Sequence, residues 1–313
     1  MILRHQVTRK EEGAPLLLIL RRSMGLSASA VKALKRNGGI EVDGVLRFTP
    51  YIVTAGEVVT ADVTRGEDES DNLPEEGELE VLFEDEGLLA VNKPPGLIVH
   101  PTHSRNHGTL ANFAASYLAK SGARPICHIV NRLDRDTSGV VLFAKNAYMK
   151  DRAIKALRAG EKRYVAVTYG TLTPSEGTID LPIRRLQPRD MLRIIAPDGK
   201  SAVTHYRTRA VGEIAGQVCS VLDITLETGR THQIRVHCLA QGAPLLGDAL
   251  YFTQESKTGA AALGLNRQLL HSNSLSFPHP QTGETITLHA PIRDPLFLHI
   301  LDQREITRAH PLL

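Results

Sequence analysis

Four stretches of this 313-residue chain hold residue types that could do chemistry. In Asn131-Arg132-Leu133-Asp134-Arg135-Asp136-Thr137-Ser138-Gly139, Asp134 stands between two arginines, directly before the apolar run Val140-Val141-Leu142-Phe143. A carboxylate held there at a sheet edge among cations has the placement of a nucleophile. A loop in which Asp134 and Asp136 cap turns or pair with arginine would read the same. In Thr228-Gly229-Arg230-Thr231-His232-Gln233-Ile234-Arg235-Val236-His237 a strand ends, Gly229 permits a tight turn and a helix begins. Arg230 at that junction suits a phosphate or carboxylate, either of which arginine can grip with two prongs. Lys162-Arg163-Tyr164 opens an alternating strand, and Tyr164 could stack on a base or lie half-buried in the sheet. The fourth stretch is His100, His103 and His107, with His232 and His237 further on. Pro101 breaks any helical spacing in it, and no acid lies among the first three, so no metal site is expected. Cys127, between Ile126 and His128-Ile129, reads as a core residue rather than a thiol nucleophile.

The elements that must position these groups can be read from periodicity. Strands are expected at Leu79–Phe83, Leu88–Asn92, Gly139–Ala144, Tyr164–Tyr169, Ala202–Arg209 and Val218–Leu226. Helices are expected at Leu110–Ala119, Ala147–Ala159 and Thr231–Ala240. The second has a cap at Asn146, an apolar stripe of Met149, Ala153, Ala156 and Leu157, and a stop at Gly160. Several strands follow one another without an intervening helix. The expected class is α+β, with a mixed, largely antiparallel central sheet flanked by helices. Neither GxxxxGK[ST] nor GxGxxG occurs.

Ahead of this body lies a smaller α+β pattern. Ser27 can cap a helix from Ala28 to Asn37 that ends at Gly38-Gly39. Lys32, Lys35 and Arg36 share one face of it, which would suit a phosphate backbone or simply be solvated. Short strands follow at Ile40–Val42, Tyr51–Val53 and Val58–Thr60. Between Gly66 and Glu78 there are seven acids and no base. That stretch reads as a solvated linker with few contacts shared across it, and it leaves both flanks basic on balance. The domains expected are 1–64, a linker over 65–78, a body over 79–305 and a tail over 306–313.

Composition narrows the class. Hydrophobic residues make up 42% and charged residues 23% of the chain, ordinary for a globular protein. The longest apolar run, Ala14–Leu20, is far too short for a membrane span, and no secretory signal is visible. Three scattered cysteines exclude a disulfide framework and suggest a reducing cytoplasm.

Taken in order, several runs resemble one family. They are Glu84 to Gly96 with Asn92-Lys93-Pro94, Arg132-Leu133-Asp134 with Thr137-Ser138-Gly139, Lys162 to Gly170, Thr228 to His237, and Pro244 to Asp248. Over about residues 79–295 the chain looks like an RluA-type RNA pseudouridine synthase. Residues 14–64 resemble the S-four-like (alpha-L) RNA-binding module of a small-subunit ribosomal protein, resting mainly on Gly25 to Gly44.

The resemblance implies an isomerase that turns uridine into pseudouridine in structured RNA, ribosomal RNA before transfer RNA, with no cofactor. It implies a cytoplasmic protein, a monomer, with no membrane partner. It makes Asp134 the catalytic aspartate and Arg230 the arginine that pairs with it. Tyr164 would pack on the target uracil, and Arg132 would fill the space of the flipped base. Lys162 and Asn131 fall in the same runs as substrate-binding candidates, with Lys32, Lys35 and Arg36 in the module. Asn131 departs from the family pattern, which has His there, and Asn cannot titrate. The alternatives are an RNA-binding protein without catalysis on the same fold, and a metal-dependent hydrolase built on the histidines.

Overall fold

The computed structural model describes residues 1–66, 73–101, 106–214 and 216–302. The chain begins with strand β1 (Ile2–Gln6), a helical stretch of α1 (Leu16–Leu18) continued as a π-helix (Ile19–Ser23), and helix α2 (Ala28–Arg36). Strands β2 (Ile40–Val42), β3 (Val45–Leu46) and β4 (Val58–Asp62) complete a four-stranded antiparallel sheet of order β1-β4-β2-β3. Ser27 caps α2 by accepting from the Ala30 amide at 3.1 Å. Val31 and Leu34 point into the module's core, and Lys32, Lys35 and Arg36 stand in solvent. The strand expected at Tyr51–Val53 is reduced to one bridge between Pro15 and Ile52.

The body has a longer roster. It contains β5 (Glu80–Glu84), β6 (Leu88–Lys93), α3 (Leu110–Lys120), β7 (His128–Ile129), β8 (Ser138–Ala144), α4 (Ala147–Ala159) and β9 (Glu161–Tyr169). There follow β10 (Glu176–Asp180), β11 (Ile183–Arg185), β12 (Arg193–Ile195), β13 (Val203–Ile214) and β14 (Gln217–Leu226). The chain then forms α5 (Gln233–Ala240), α6 (Gln254–Ala262), β15 (Leu270–Pro278), β16 (Thr285–His289) and α7 (Pro295–Asp302).

One large sheet runs β10-β13-β14-β9-β15-β8-β6-β5, with β16 beside β15 and β7 beside β8. Among the described residues β15 against β8 is its parallel pair; the others are antiparallel, as the expected class requires. β6 and β8 are buried along their whole length, which is why both read as near-continuous apolar runs. Their alternate residues serve two layers. Leu89, Val91, Val141 and Phe143 pack on α3, while Leu88, Ala90, Val140 and Leu142 pack on α4. Asn146 caps α4 by accepting from the Met149 amide at 2.8 Å.

Two junctions hold more contact than the sequence suggests. The expectation of few shared contacts is corrected: Met1 packs both in the module core and in the α4 layer, and Tyr148 of α4 bridges the same two clusters. The linker expectation is also corrected over 73–78. Asn112 of α3 donates to the Leu73 carbonyl at 2.8 Å, and the Glu75 carboxylate accepts from the Gly108 amide at 2.6 Å. Those backbone and carboxylate bonds tie the segment to the start of α3. The acids at 67–71 and the tail at 306–313 lie outside the described residues.

Candidate active site

Asp134 lies in the loop between β7 and β8. A turn closes it, with the Thr137 amide donating to the Asp134 carbonyl at 3.1 Å. Directly after it, Gly139 sits at φ +117, and a Cβ there would stand 2.2 Å from the carbonyl oxygen of Ser272 on β15. Only glycine lets β8 and β15 approach so closely. From the other side comes Lys93, at the end of β6 and wholly buried. Its Nζ donates to the carbonyls of Pro94 at 2.8 Å, Leu97 at 2.9 Å and Arg135 at 2.8 Å. Three carbonyls complement the three protons of an ammonium. Burial pushes its pKa down to about 7, against the pull of Asp136 and Asp134. Lys93 thus ties the Asp134 loop to the turn after β6.

The partner of Asp134 is Arg235, and this corrects the expectation placed on Arg230. The Arg235 guanidinium donates to Asp134 Oδ2 at 3.1 Å. It also donates twice to Asp248, from Nε at 2.7 Å and from the far nitrogen at 2.8 Å. Asp248 is itself held by the amides of Leu250 and Tyr251 at 2.9 and 3.0 Å. Burial works against the charge on Arg235, but the hydrogen bonds and charge of Asp248 and the charge of Asp134 more than reverse that and raise its pKa. Arg230, five residues earlier, is exposed and donates its Nε to the Ser201 carbonyl at 2.8 Å.

The local fold explains the exchange. The helix starts at Gln233, two residues later than the expected Thr231, because His232 takes a left-handed conformation at φ 59. Gln233 fixes the turn: its Oε1 accepts from the Arg230 amide at 2.9 Å, and its Nε2 donates to the Val203 carbonyl at 3.0 Å. The first turn of α5 then carries Arg235 inward, while Arg230 stays at the rim. His232 is buried with it, its Nε2 3.8 Å from Asp134 Oδ2 and its Nδ1 2.8 Å from the Tyr251 hydroxyl. Burial holds its pKa below the ordinary histidine value.

Around Asp134 a pocket is lined by Arg132, Tyr164, Leu226, Arg230, His232 and Arg235 among others. Tyr164 comes from β9, and burial pushes its phenol up to about 12. Arg132, Tyr164 and Arg230 also line a neighbouring groove with Arg158 and Lys162. Lys162 is half-buried, with its pKa lowered by burial, and reaches the Leu157 carbonyl at 3.4 Å. The structure thus gathers Asp134, Tyr164, Arg132, Arg230 and Lys162 around two adjoining pockets that share Arg132, Tyr164 and Arg230. Asn131 borders that groove too, but both ends of its amide are taken by β8: Nδ2 donates to the Val140 carbonyl at 3.1 Å and Oδ1 accepts from the Leu142 amide at 2.7 Å. Its expected contact with substrate is corrected to a brace between the loop and β8. Lys32, Lys35 and Arg36 lie apart, on the module.

The sequence reading missed Arg235, Asp248 and Lys93 as members of the site, although the runs that carry the family resemblance contain all three. For Asp248 a signal existed: an acid after Leu246-Gly247, within a run otherwise apolar. Among the described residues the histidines do not converge on one site. His237 is wholly buried between Thr204 and Leu181, and among the described residues no group of three or more His, Cys, Asp or Glu could hold a metal ion. His103 lies outside the described residues.

The large mixed sheet flanked by helices is the fold of pseudouridylate synthase domains. Residues 87–240 match the profile of the RNA pseudouridylate synthase family. A Bacillus subtilis protein named "Uncharacterized RNA pseudouridine synthase YhcT" is 36% identical over 288 residues, covering 91% of this chain and 92% of the relative. The "Ribosomal large subunit pseudouridine synthase D" of Xanthomonas campestris is 37% identical over 280 residues, covering 86% of this chain and 82% of that one. The structure of "Human RNA Pseudouridylate Synthase Domain Containing 4" matches with a TM-score of 0.56 at 25% identity, over 71% of this chain and 91% of that one. The chain belongs to the RluA-type family of RNA pseudouridine synthases, isomerases that act on RNA. No helix among the described residues is long and apolar enough to cross a membrane.

Proposed function

We propose that Asp134 is the catalytic carboxylate and that ribosomal RNA is the substrate. One observation carries the first part: Asp134 is the carboxylate that meets Tyr164 at the pocket, and a doubly anchored arginine fixes its direction. Pseudouridine forms when the N1–C1′ bond breaks, uracil turns, and C5 bonds to C1′. A glycosidase needs a second carboxylate to activate water. An isomerase that recaptures its leaving group needs one, in a site that keeps water out. Attack on C1′ and removal of the 2′ proton both call for a carboxylate oxygen facing the ribose, and Asp134 supplies it. The target uridine must first leave the stack, at a cost of a few kcal/mol. Tyr164 offsets that cost by packing on the uracil, and Arg132 by filling the gap. Arg230 and Lys162 at the rim take RNA phosphate.

Release of tritium from RNA labelled at uracil C5 measures the reaction. Asp134→Asn is expected to abolish release while RNA binding and the melting temperature stay near wild type. Turnover within tenfold of wild type would remove Asp134 from the mechanism. The choice of RNA is supported by the relatives named for the large ribosomal subunit and by the S-four-like module. It is tested by mapping pseudouridine in ribosomal and transfer RNA with and without the protein. This reading places a monomer in the cytoplasm, where that RNA is.

A further inference from the structure

We propose that the outer face of α4 is a phosphate track, along which the RNA strand flanking the target uridine runs from the N-terminal module to the pocket. The inference rests on the reading of the chain as an RNA isomerase and adds the path of its substrate. Lys155 and Arg158, three positions apart on α4, share one exposed face. Neither has a hydrogen bond or ion pair among the described residues. With Asp151 one turn before Lys155, that face presents two cations to one acid, a net positive charge that attracts a polyanion. Some cations elsewhere are paired instead. Arg163 pairs with Glu161 at 2.9 Å, Arg184 with Asp198 at 2.9 Å, and Arg293 with Glu80 at 2.9 Å.

The position of α4 gives the unpaired charges their direction. The helix is a ridge between two grooves. On one side a groove of about 910 Å³ is walled by Arg21, Ser27 and Ala28 of the module and by Arg152 and Lys155 of α4. On the other, a groove of about 600 Å³ joins Arg158 and Lys162 to Arg132, Tyr164 and Arg230 of the pocket. Lys32 and Lys35, without partners among the described residues, stand at i+4 and i+7 from Ala28, on the face of α2 that Ala28 shares with the groove. Two acids border the path. Asp151 lies on the rim of the first groove, and Glu227 in the second is turned to His205 at 2.7 Å. Arg152 is engaged by the Pro280 carbonyl at 2.8 Å and serves as wall rather than contact. Cations outnumber acids along the whole path, which is the charge pattern a nucleic-acid strand needs.

The test uses the full-length protein and the double variant Lys155→Ala/Arg158→Ala. The substrates are a tritium-labelled large-subunit ribosomal RNA transcript and a short stem–loop cut around the uridine that wild type modifies in it. On the transcript, KM is expected to rise about tenfold, and the slope of log affinity against log salt to fall by roughly 1.5 to 2. On the stem–loop, which ends before the track, KM should rise less than about threefold. Lys257→Ala, an exposed cation on α6 outside both grooves, serves as control and should leave KM for the transcript unchanged. The track is overturned by an unchanged KM and slope on the transcript, by equal losses on both RNAs, or by an equal loss in the control. Absence of tritium release by wild type would instead overturn the functional reading beneath it.

Discussion

Arg235 holds two carboxylates at once, and this makes it the least replaceable side chain in the site. Removing a buried charge partner typically costs about 3–5 kcal/mol, because the remaining charge is stranded. Arg235→Ala is therefore expected to unfold at markedly lower denaturant and to be inactive. Arg235→Lys keeps the charge but cannot bond Asp134 and Asp248 in fork geometry, so it should fold and yet lose most of the single-turnover rate. Asp248→Asn should lower that rate about a hundredfold with little change in KM, since a small misplacement of a catalytic group is enough. Rates of Arg235→Lys or Asp248→Asn within threefold of wild type would show that the fork is structural only. The sequence shows two arginines five apart beyond one turn, and composition cannot choose between them. The choice is made by His232, whose left-handed backbone shifts the helix start. A non-glycine residue in that conformation leaves no mark in propensity.

At the scale of elements the decisive contact is the crossing of β8 and β15 at Gly139. Gly139→Ala meets the Ser272 backbone, not a movable side chain. It is expected to cost stability, lowering the melting temperature by several degrees, and to reduce the rate further by shifting the Asp134 loop, read by calorimetry and tritium release. An alanine variant as stable as wild type would mean the crossing relaxes freely. Elements with a strong period were legible: α4 with its Asn146 cap, α2 with Ser27, and the apolar strands β6 and β8. β15 was not, because its sequence Leu-His-Ser-Asn-Ser-Leu-Ser-Phe-Pro buries polar residues. His271 accepts from or donates to Ser138 at 2.9 Å and bonds the Ala290 carbonyl at 2.9 Å, so it reads as surface while lying in the core. β1 was missed for another reason. Its partner β4 is more than fifty residues away, and every second residue of β1 faces solvent.

Taken whole, the molecule should be sensitive to acid. Burial holds the pKa of His237, His271 and His232 below the ordinary value of 6.5. An unfolded chain then binds more protons than the folded one as pH drops through and below that value, so stability falls on acidification. Urea midpoints are expected to decline between pH 7 and pH 5 by more than carboxylate titration alone accounts for, and a flat profile over that range would contradict it. The docking of the module changes the expectation for its removal. Deleting residues 1–66 should flatten the salt dependence of RNA binding, because Lys32, Lys35 and Arg36 leave with it. It should also lower the melting temperature of the body by uncovering Tyr148 and the α4 layer that Met1 covers. A truncated protein with wild-type salt slope would assign those two lysines and the arginine no part in binding.

The place of β15 in the sheet order has a consequence for how the enzyme comes into being. It lies between β8, which follows Asp134, and β9, which carries Tyr164, though it begins only at Leu270, long after Ala144 ends β8 and Tyr169 ends β9. Until Leu270–Pro278 has left the ribosome, the two halves of the sheet have no common edge. At ~5–20 residues per second that interval lasts several seconds or more. A growing chain can therefore build the module, the α3 and α4 layers and the β13–β14 hairpin as separate pieces. Asp134 and Tyr164 acquire their fixed distance only with the last long strand, so an RNA-modifying enzyme synthesised amid abundant RNA stays inert until its chain is nearly finished.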